Sequence, residues 1–247
     1  SNVTRGLIGA GYVHPAANNT IRSIELASQG NTADFGDTTV ARYYLGAAAS
    51  ATRCLWGGGD TGSISDVIDY KTFASSGNAS DFGNLTAVQR EAFNGILSTG
   101  IRGFNCGGVS PSFKDTIEMI TIPTFGNAVD FGDLIKVGRN GGAVGNSTRG
   151  FLLGNSGPSD THTTEIQKLN LISGGNAVQT GDCVVTRSQV GVSDPTRGVT
   201  LGGSTPTSTN TIEYISLSTE GDSVDFGDLT EATHYAAGAS NAHGGLG

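Results

Sequence analysis

Five short stretches of the chain alternate apolar and polar residues: "NTIRSIEL" from Asn19, "DVIDYKTF" from Asp66, "DTIEMITI" from Asp115, "TEIQKLNL" from Thr164 and "NTIEYISL" from Asn210. Period-two alternation over so few residues predicts strands with one buried face. Ile21, Ile68, Ile117, Ile166 and Ile212 line up on that face. Ahead of each stretch lies a run that begins at an arginine and ends in glycine ("TRGLIGAG", "TRCLWGGG", "IRGFNCGG", "TRGFLLGN", "TRGVTLGG"), then a variable polar loop. Behind each stretch comes Gly-Asn or Gly-Asp, at Gly30, Gly77, Gly126, Gly175 and Gly221. These residue types tolerate positive φ and predict a hairpin into the next strand. That strand reads "DFGD" in most units, and a run of small residues follows it.

The spacing makes this a repeat. Arg5, Arg53, Arg102, Arg149 and Arg197 are separated by 48, 49, 47 and 48 residues. A second column, Arg42, Arg90, Arg139, Arg187 and then His234, has separations of 48, 49, 48 and 47. Nine of the ten arginines fall in these columns and only Arg22 stands outside, which marks Arg as a structural part of the repeat. Four short antiparallel strands per unit predict one blade of a β-propeller. The fold expected is therefore all-β: a single five-bladed propeller over residues 1–247, with repeats at about 3–39, 40–87, 88–135, 136–183 and 184–231. A closing strand at 232–247 is expected to supply the inner strand of the first blade and shut the ring by pairing the terminal strands. Gly46, Ala143, Gly191 and Gly238 suit innermost strands converging on an axis, with Asn94 as the exception. The tail "AHGGLG" repeats the opening of a further unit, either an extra packed segment or the start of more chain.

Composition narrows the chemistry. Glycine is abundant at 39 residues and charged residues make up 15%, which suits many short strands and tight turns. A net charge of -8 opposes binding to a nucleic-acid backbone or an anionic membrane surface. No apolar run approaches the roughly 20 residues of a membrane span, so a soluble chain without membrane insertion is expected. Cys54, Cys106 and Cys183 share no repeated position and no metal-ligand spacing, which points to buried free thiols.

The glycine pair closing the second strand, the apolar third strand, an aromatic in the fourth and an arginine leading into the next inner strand resemble kelch-type propeller repeats; more closely, "TRG", "GG", "NTI-Y-I", "GNA" and "DFGDLT" resemble repeats in proteins of tailed bacteriophages, especially phages of marine bacteria. The resemblance covers nearly the whole chain. It implies a virion-associated structural or adhesive part at a virion or extracellular surface, and it implies no reaction. The fourth unit departs most, with Gln179-Thr180 in place of Asp-Phe.

Among the repeated residues, Asp34, Asp81, Asp130 and Asp225 each precede a second Asp or Asn by three positions, a spacing that could serve calcium but offers too few oxygens. The alternative reading pairs these aspartates with the repeated arginines and assigns both a structural role. Phe35, Phe82, Phe131 and Phe226 are expected to pack between blades. No nucleophile elbow, paired-histidine metal motif or phosphate loop appears, so neither a catalytic residue nor a metal nor a cofactor is expected. The variable loops gather on one rim, and their polar residues with an occasional aromatic are suited to sugar recognition: Tyr12, His14, Asp60, Ser110, Phe113, Asn155, Asp160, His162 and Thr205 are the ligand-binding candidates. The expected function is a non-enzymatic, lectin-like module, a phage fibre, baseplate or capsid decoration that contacts a host surface glycan. The alternatives are a scaffold for another virion protein and, less favoured, a polysaccharide hydrolase or lyase.

Overall fold

The computed structural model describes residues 4–92, 97–186, 188–204 and 206–236, which form nineteen strands and a single short 3-10 turn. The strands make five antiparallel sheets arranged as a five-blade propeller. Blade one contains β1 (Arg5–Val13), β2 (Ala16–Glu25) and β3 (Ala33–Asp37). Blade two has β4 (Gly46–Ala49), β5 (Arg53–Gly57), β6 (Val67–Thr72) and β7 (Ser80–Asn84). Blade three has β8 (Leu97–Ser98), β9 (Arg102–Cys106), β10 (Thr116–Thr121) and β11 (Val129–Asp133). Blade four has β12 (Gly142–Gly145), β13 (Arg149–Ser156), β14 (His162–Asn170) and β15 (Val178–Asp182), and blade five β16 (Val190–Ser193), β17 (Arg197–Leu201), β18 (Thr209–Ser216) and β19 (Val224–Thr233). In every four-stranded sheet the small-residue strand lies at one edge and the outer "DFGD" strand or its variant at the other. The small edge strands meet their counterparts in the next blade: a Cβ on Gly191 would lie 2.0 Å from the Ala143 carbonyl oxygen, so glycine permits the approach.

Each outer strand carries a bulge at one shared position against its neighbour, and β19 has a second irregularity nearer its end. The register skips Phe35, Phe82, Phe131, Thr180 and Phe226. A bulge re-aims one side chain, and here it turns Phe35 and Phe82 into the space between blades, where they are buried. The aspartates belong to this device. Asp34, Asp81, Asp130 and Asp225 each accept the N–H of the glycine two residues on, at 2.9, 3.2, 3.1 and 3.1 Å. The expected Asp–Arg pairing is thus corrected: these carboxylates are exposed and close the bulge, and the arginines bond elsewhere.

The repeated Gly-Asn word has a use that a hairpin reading misses. The Gly77 N–H donates to the Phe35 carbonyl at 2.7 Å, the Ala79 N–H to the Asp37 carbonyl at 2.7 Å, and Asn78 Oδ1 accepts the Asp37 N–H at 3.2 Å. The same three bonds join Gly126, Asn127 and Ala128 to blade two, and Gly175, Asn176 and Ala177 to blade three. Asp222 and Ser223 repeat two of them on Asp182. Blade n+1 therefore zips onto the outer strand of blade n. The fit is so close that a Cβ on Gly36, Gly83 or Gly132 would lie 2.1, 2.5 or 2.4 Å from the facing glycine carbonyl oxygen.

The first arginine column reinforces the zipper. Arg5 Nη1 donates to the Phe73 carbonyl, Arg53 to Ile122 and Pro123, Arg102 to Leu171 and Ile172, and Arg149 to Leu217 and Ser218. Each spans into the following blade and ties down the end of its third strand.

The second column is corrected by one residue. Tyr43, Arg90 and Arg139 occupy the same place, each paired through its backbone to the residue seven beyond an arginine of the first column: Asp60, Val109 and Ser156. Arg42 is the equivalent of Gln89, whose carbonyl, like that of Arg42, accepts a glycine N–H from a second strand. Both side chains turn inward to a buried acid, Arg42 to Asp69 and Gln89 to Glu118. Those acids, with Gln167 and Glu213, form a column that follows the isoleucines and is at most 1% exposed. They hold the chain entering their own blade: Asp69 accepts from Thr39, Glu118 from the Thr86 N–H, Gln167 Oε1 from the Ile135 N–H, and Glu213 from the Val184 and Val185 N–H groups. Burial pushes the Asp69 carboxyl up and the Arg42 guanidinium down, while their mutual attraction opposes both shifts. In blade one the column is occupied by Arg22, which has no acceptor to offer.

The flanks of blades five and one differ from the four zipped interfaces. Among the described residues Gly227 faces open space, whereas its equivalents Gly36, Gly83 and Gly132 each meet a glycine of the next blade. Phe226 is 53% exposed, against 5% for Phe35. The guanidinium of Arg197 lies over Tyr214 and Phe226 of its own blade and, among the described residues, reaches no carbonyl of blade one. Ala232 and Thr233, expected to begin the closing strand, instead finish β19, where Thr233 pairs with Thr209. Gly238 and residues 237–247 of that closing strand lie outside the described residues, as does Asn94.

Candidate functional site

One enclosed cavity of about 30 Å³ lies between blades two and three, lined mainly by apolar side chains such as Leu55, Leu97 and Phe104. That volume suits about one water molecule. All three thiols are buried. Burial pushes the Cys54 thiol up to about 12 and also raises Cys106 and Cys183, so none is a ready nucleophile. Among the described residues, no cluster of His, Cys, Asp or Glu has the makings of a metal site, and no helix is long and apolar enough to cross a membrane.

The rim is different. The hairpin between β1 and β2 carries Tyr12 and His14, with ring centroids 6.3 Å apart. Tyr12 meets Tyr43 edge-on at 5.3 Å, and Tyr43 meets Tyr44 at 4.8 Å. Tyr12 and Tyr44 are 54% and 56% exposed, so the cluster is an aromatic platform open to solvent. It arises because Tyr43 and Tyr44 stand at the start of the path into blade two, while the first hairpin is long enough to lean over them; the Gly11 N–H bonds the Arg42 carbonyl at 2.8 Å.

A charged ladder continues from the platform. The backbones of Tyr43 and Asp60 exchange hydrogen bonds of 3.1 and 2.8 Å. Asp60 pairs with Arg90, Arg90 Nε lies 3.9 Å from Glu91, and Glu91 pairs with Arg139, whose guanidinium sits 5.3 Å above the Phe113 ring. Two acids and two arginines alternate, so the ladder is neutral overall. Arg90 and Arg139 remain about one-third exposed.

The structure thus brings four of the sequence candidates, Tyr12, His14, Asp60 and Phe113, onto one continuous surface. Asp60 is 5% exposed and acts through Arg90, not as a free contact. Ser110 at 4% and Asn155 at 0% exposure are corrected outright, because neither can reach a ligand. Asn155 Oδ1 accepts from Thr163, and the side chain fills space that a Cβ on Gly138 would take. His162 is half-buried on β14 opposite Ser156, and Asp160 ends the short 3-10 turn Pro158–Asp160. Thr205 and Arg187 lie outside the described residues. Tyr43, Tyr44 and Glu91 were missed by sequence reasoning. The available signal was a repeated position, the pair beginning the path to each inner strand, at which residue type changes from unit to unit.

A shallow concavity on another face is bordered by Ser50, Ala51, Thr52, Arg53, Gly100 and Pro123. Its one cation, Arg53, is already committed to the carbonyls of Ile122 and Pro123. Set against protein-family models and curated protein sequences, the chain matches none.

Proposed function

We propose that the protein is a non-enzymatic recognition module that binds surface glycans through its rim. The observation that carries this reading is the exposed platform of Tyr12, Tyr43 and Tyr44 beside His14. A sugar presents one face of C–H groups that packs on an aromatic ring, and a border of hydroxyls that hydrogen-bonds to polar groups. Exposed tyrosines offer apolar area with a polar handle, and the adjoining Arg90, Glu91 and Arg139 supply donors and acceptors with no net charge. The negative net charge of the chain agrees with a partner other than nucleic acid. The resemblance to phage propeller repeats fits the same role in a virion fibre, baseplate or capsid decoration. The test is an array of bacterial surface glycans probed with the parent protein and with Tyr12→Ala. Binding by the parent that falls at least tenfold in the variant supports the reading. No binding by the parent, or equal binding by both, overturns it.

A further inference from the structure

Tyr44, Glu91, Asn140, Ser188 and Tyr235 occupy one position in five successive units, next to Tyr43, Arg90, Arg139, Arg187 and His234. All five have left-handed backbones, with φ of 58, 56, 55, 58 and 55°. They run along one end of the propeller axis, because the Glu91 N–H donates to the Tyr44 carbonyl, Ser188 to Asn140 and Tyr235 to Ser188, at 3.1, 2.5 and 3.3 Å. Backbone contact between residues of different blades makes this an arc of small radius.

A left-handed conformation is unfavourable for a non-glycine residue, with Asn the least penalised. Among the described residues, glycine takes nineteen other positive-φ positions, and Ala10, Ser159 and Glu220 take three more. At the five positions of the arc there is no glycine. Tyr44 and Tyr235 are 56% and 63% exposed, so beyond the one ring that each meets in its own pair their side chains lie open to solvent. Strain held where a cheaper residue would serve points to a use for the side chain itself.

We propose that this end of the axis is a site for the terminal sugar of a neutral glycan, an inference that rests on the glycan-binding reading of the rim. The arc begins with the Tyr43–Tyr44 pair and ends with His234–Tyr235, two stacked pairs with the same 4.8 Å ring separation and tilts of 57 and 59°. Between them lie Glu91, Asn140 and Ser188, and the Ser188 hydroxyl is buried with no partner among the described residues. Aromatic faces at both ends with hydroxyl, amide and carboxylate groups between them match a sugar ring and its hydroxyls. The Glu91 charge is met by Arg139, so nothing here selects an anion. The backbone bonds that join Tyr44 to Glu91, and Asn140 through Ser188 to Tyr235, draw the arc together at this end, which suits a chain end better than the flank of a long polymer.

The test titrates the whole protein with maltotriose, cellotriose, chitotriose and isomaltotriose, read by saturation-transfer NMR, with thermal melts on the same samples. The expected result is binding of at least one trisaccharide, and at least a tenfold loss in Tyr235→Gly and in Asn140→Gly while neither variant melts below the parent. A variant pair that binds as the parent does overturns the proposal, and so does a lowered melt in both, which would assign the position a structural role. Binding that is lost in Tyr12→Ala and retained in Tyr235→Gly and Asn140→Gly leaves the rim reading standing and removes the axial site alone. A parent that binds none of the four removes both.

Discussion

The interface between blades three and four and the flanks of blades five and one are spelled with almost the same words, yet they do different things. At the first, Gly175, Asn176 and Ala177 zip onto Phe131 and Asp133, Arg102 caps the ends of the facing strand, and Gln167 holds the entering chain. At the second, blade five offers the full acceptor side, with the Asp225 bulge closed and Arg197 in place, and blade one offers Gly30 and Asn31, but among the described residues Gly227 has nothing against it, where its equivalent Gly132 meets the Gly175 carbonyl. One residue type breaks the symmetry. Where three of the other units bury an acid and one a glutamine to accept backbone N–H groups, blade one carries Arg22, a donor with no lone pair to give. The chain leaving blade five runs straight on as β19 to Thr233 instead of bending inward. Among the described residues this repeat is thus complete as a word and lacks the zipper bonds, and it adjoins the one unit in which Arg22 replaces the buried acceptor.

The sharpest way to break this comparison is to remove matching side chains. Phe82 is 4% exposed between Tyr70 and Phe125, whereas Phe226 is 53% exposed. Phe82→Ala is expected to lower unfolding stability by about 3 to 5 kcal/mol and Phe226→Ala by less than about 0.5 kcal/mol, measured by denaturant melts. Equal losses would show that the flank of blade five is covered in solution.

The arginines give a smaller version of the same contrast. Arg102 makes bonds of 3.0 and 2.9 Å to the Leu171 and Ile172 carbonyls. Arg102→Ala removes them and is expected to cost about 1.5 to 3 kcal/mol, the usual range for a hydrogen bond to a charged group. Among the described residues the Arg197 side chain stacks on Tyr214 and Phe226 and bonds no carbonyl, so Arg197→Ala is expected to cost no more than about 1 kcal/mol. A double-variant cycle of Arg102→Ala with Leu171→Ala leaves the carbonyl in place and is expected to show little coupling, since the bond goes to backbone.

That last point explains how much was legible in the sequence. The five units, their strands, the isoleucine face and the periodic arginines could all be read, because burial and period are local signals. Partners could not. Asp34 accepts from a glycine two residues away, but Asn78 reaches Asp37 across 41 residues and Arg102 reaches a carbonyl 69 residues on, and a backbone acceptor leaves no mark on residue identity. The one-residue shift at Arg42 escaped notice because its 48-residue spacing to Arg90 matched the period by coincidence; only the bridges of Tyr43, Arg90 and Arg139 set the true register. The buried acceptors changed identity from Asp to Glu to Gln, so no letter repeated. The rim platform was half visible: Tyr12 and His14 stood out in a variable loop, while Tyr43 and Tyr44 looked like strand residues until the hairpin of blade one was folded over them.

The smallest expected effect isolates blade five again, through a turn. Ahead of the arginine strands, Ser50, Thr99, Asn146 and Asp194 accept the N–H groups that open the strand: Arg53 bonds Ser50 at 3.1 Å, Arg102 bonds Thr99 at 3.1 Å, Arg149 bonds Asn146 at 3.0 Å and Arg197 bonds Asp194 at 2.8 Å. Only the fifth can titrate. Hydrogen bonds from the Thr196 hydroxyl, the Thr196 N–H and the Arg197 N–H hold its carboxyl below the usual Asp value. A carboxyl depressed in the folded state contributes stability that is present above its unfolded value, about 3.9, and is lost as pH falls through the folded one. Acid should therefore loosen the β16–β17 turn while the equivalent turns in blades two and four, built on Ser50 and Asn146, hold. Asp194→Asn reproduces the neutral acceptor that blade four already uses. It is expected to leave stability at pH 7 nearly unchanged and to flatten the acid limb, read by amide exchange at Thr196 and Arg197. An acid limb unaltered by this substitution would place the titrating group elsewhere and remove the turn from the list of differences between blade five and the rest.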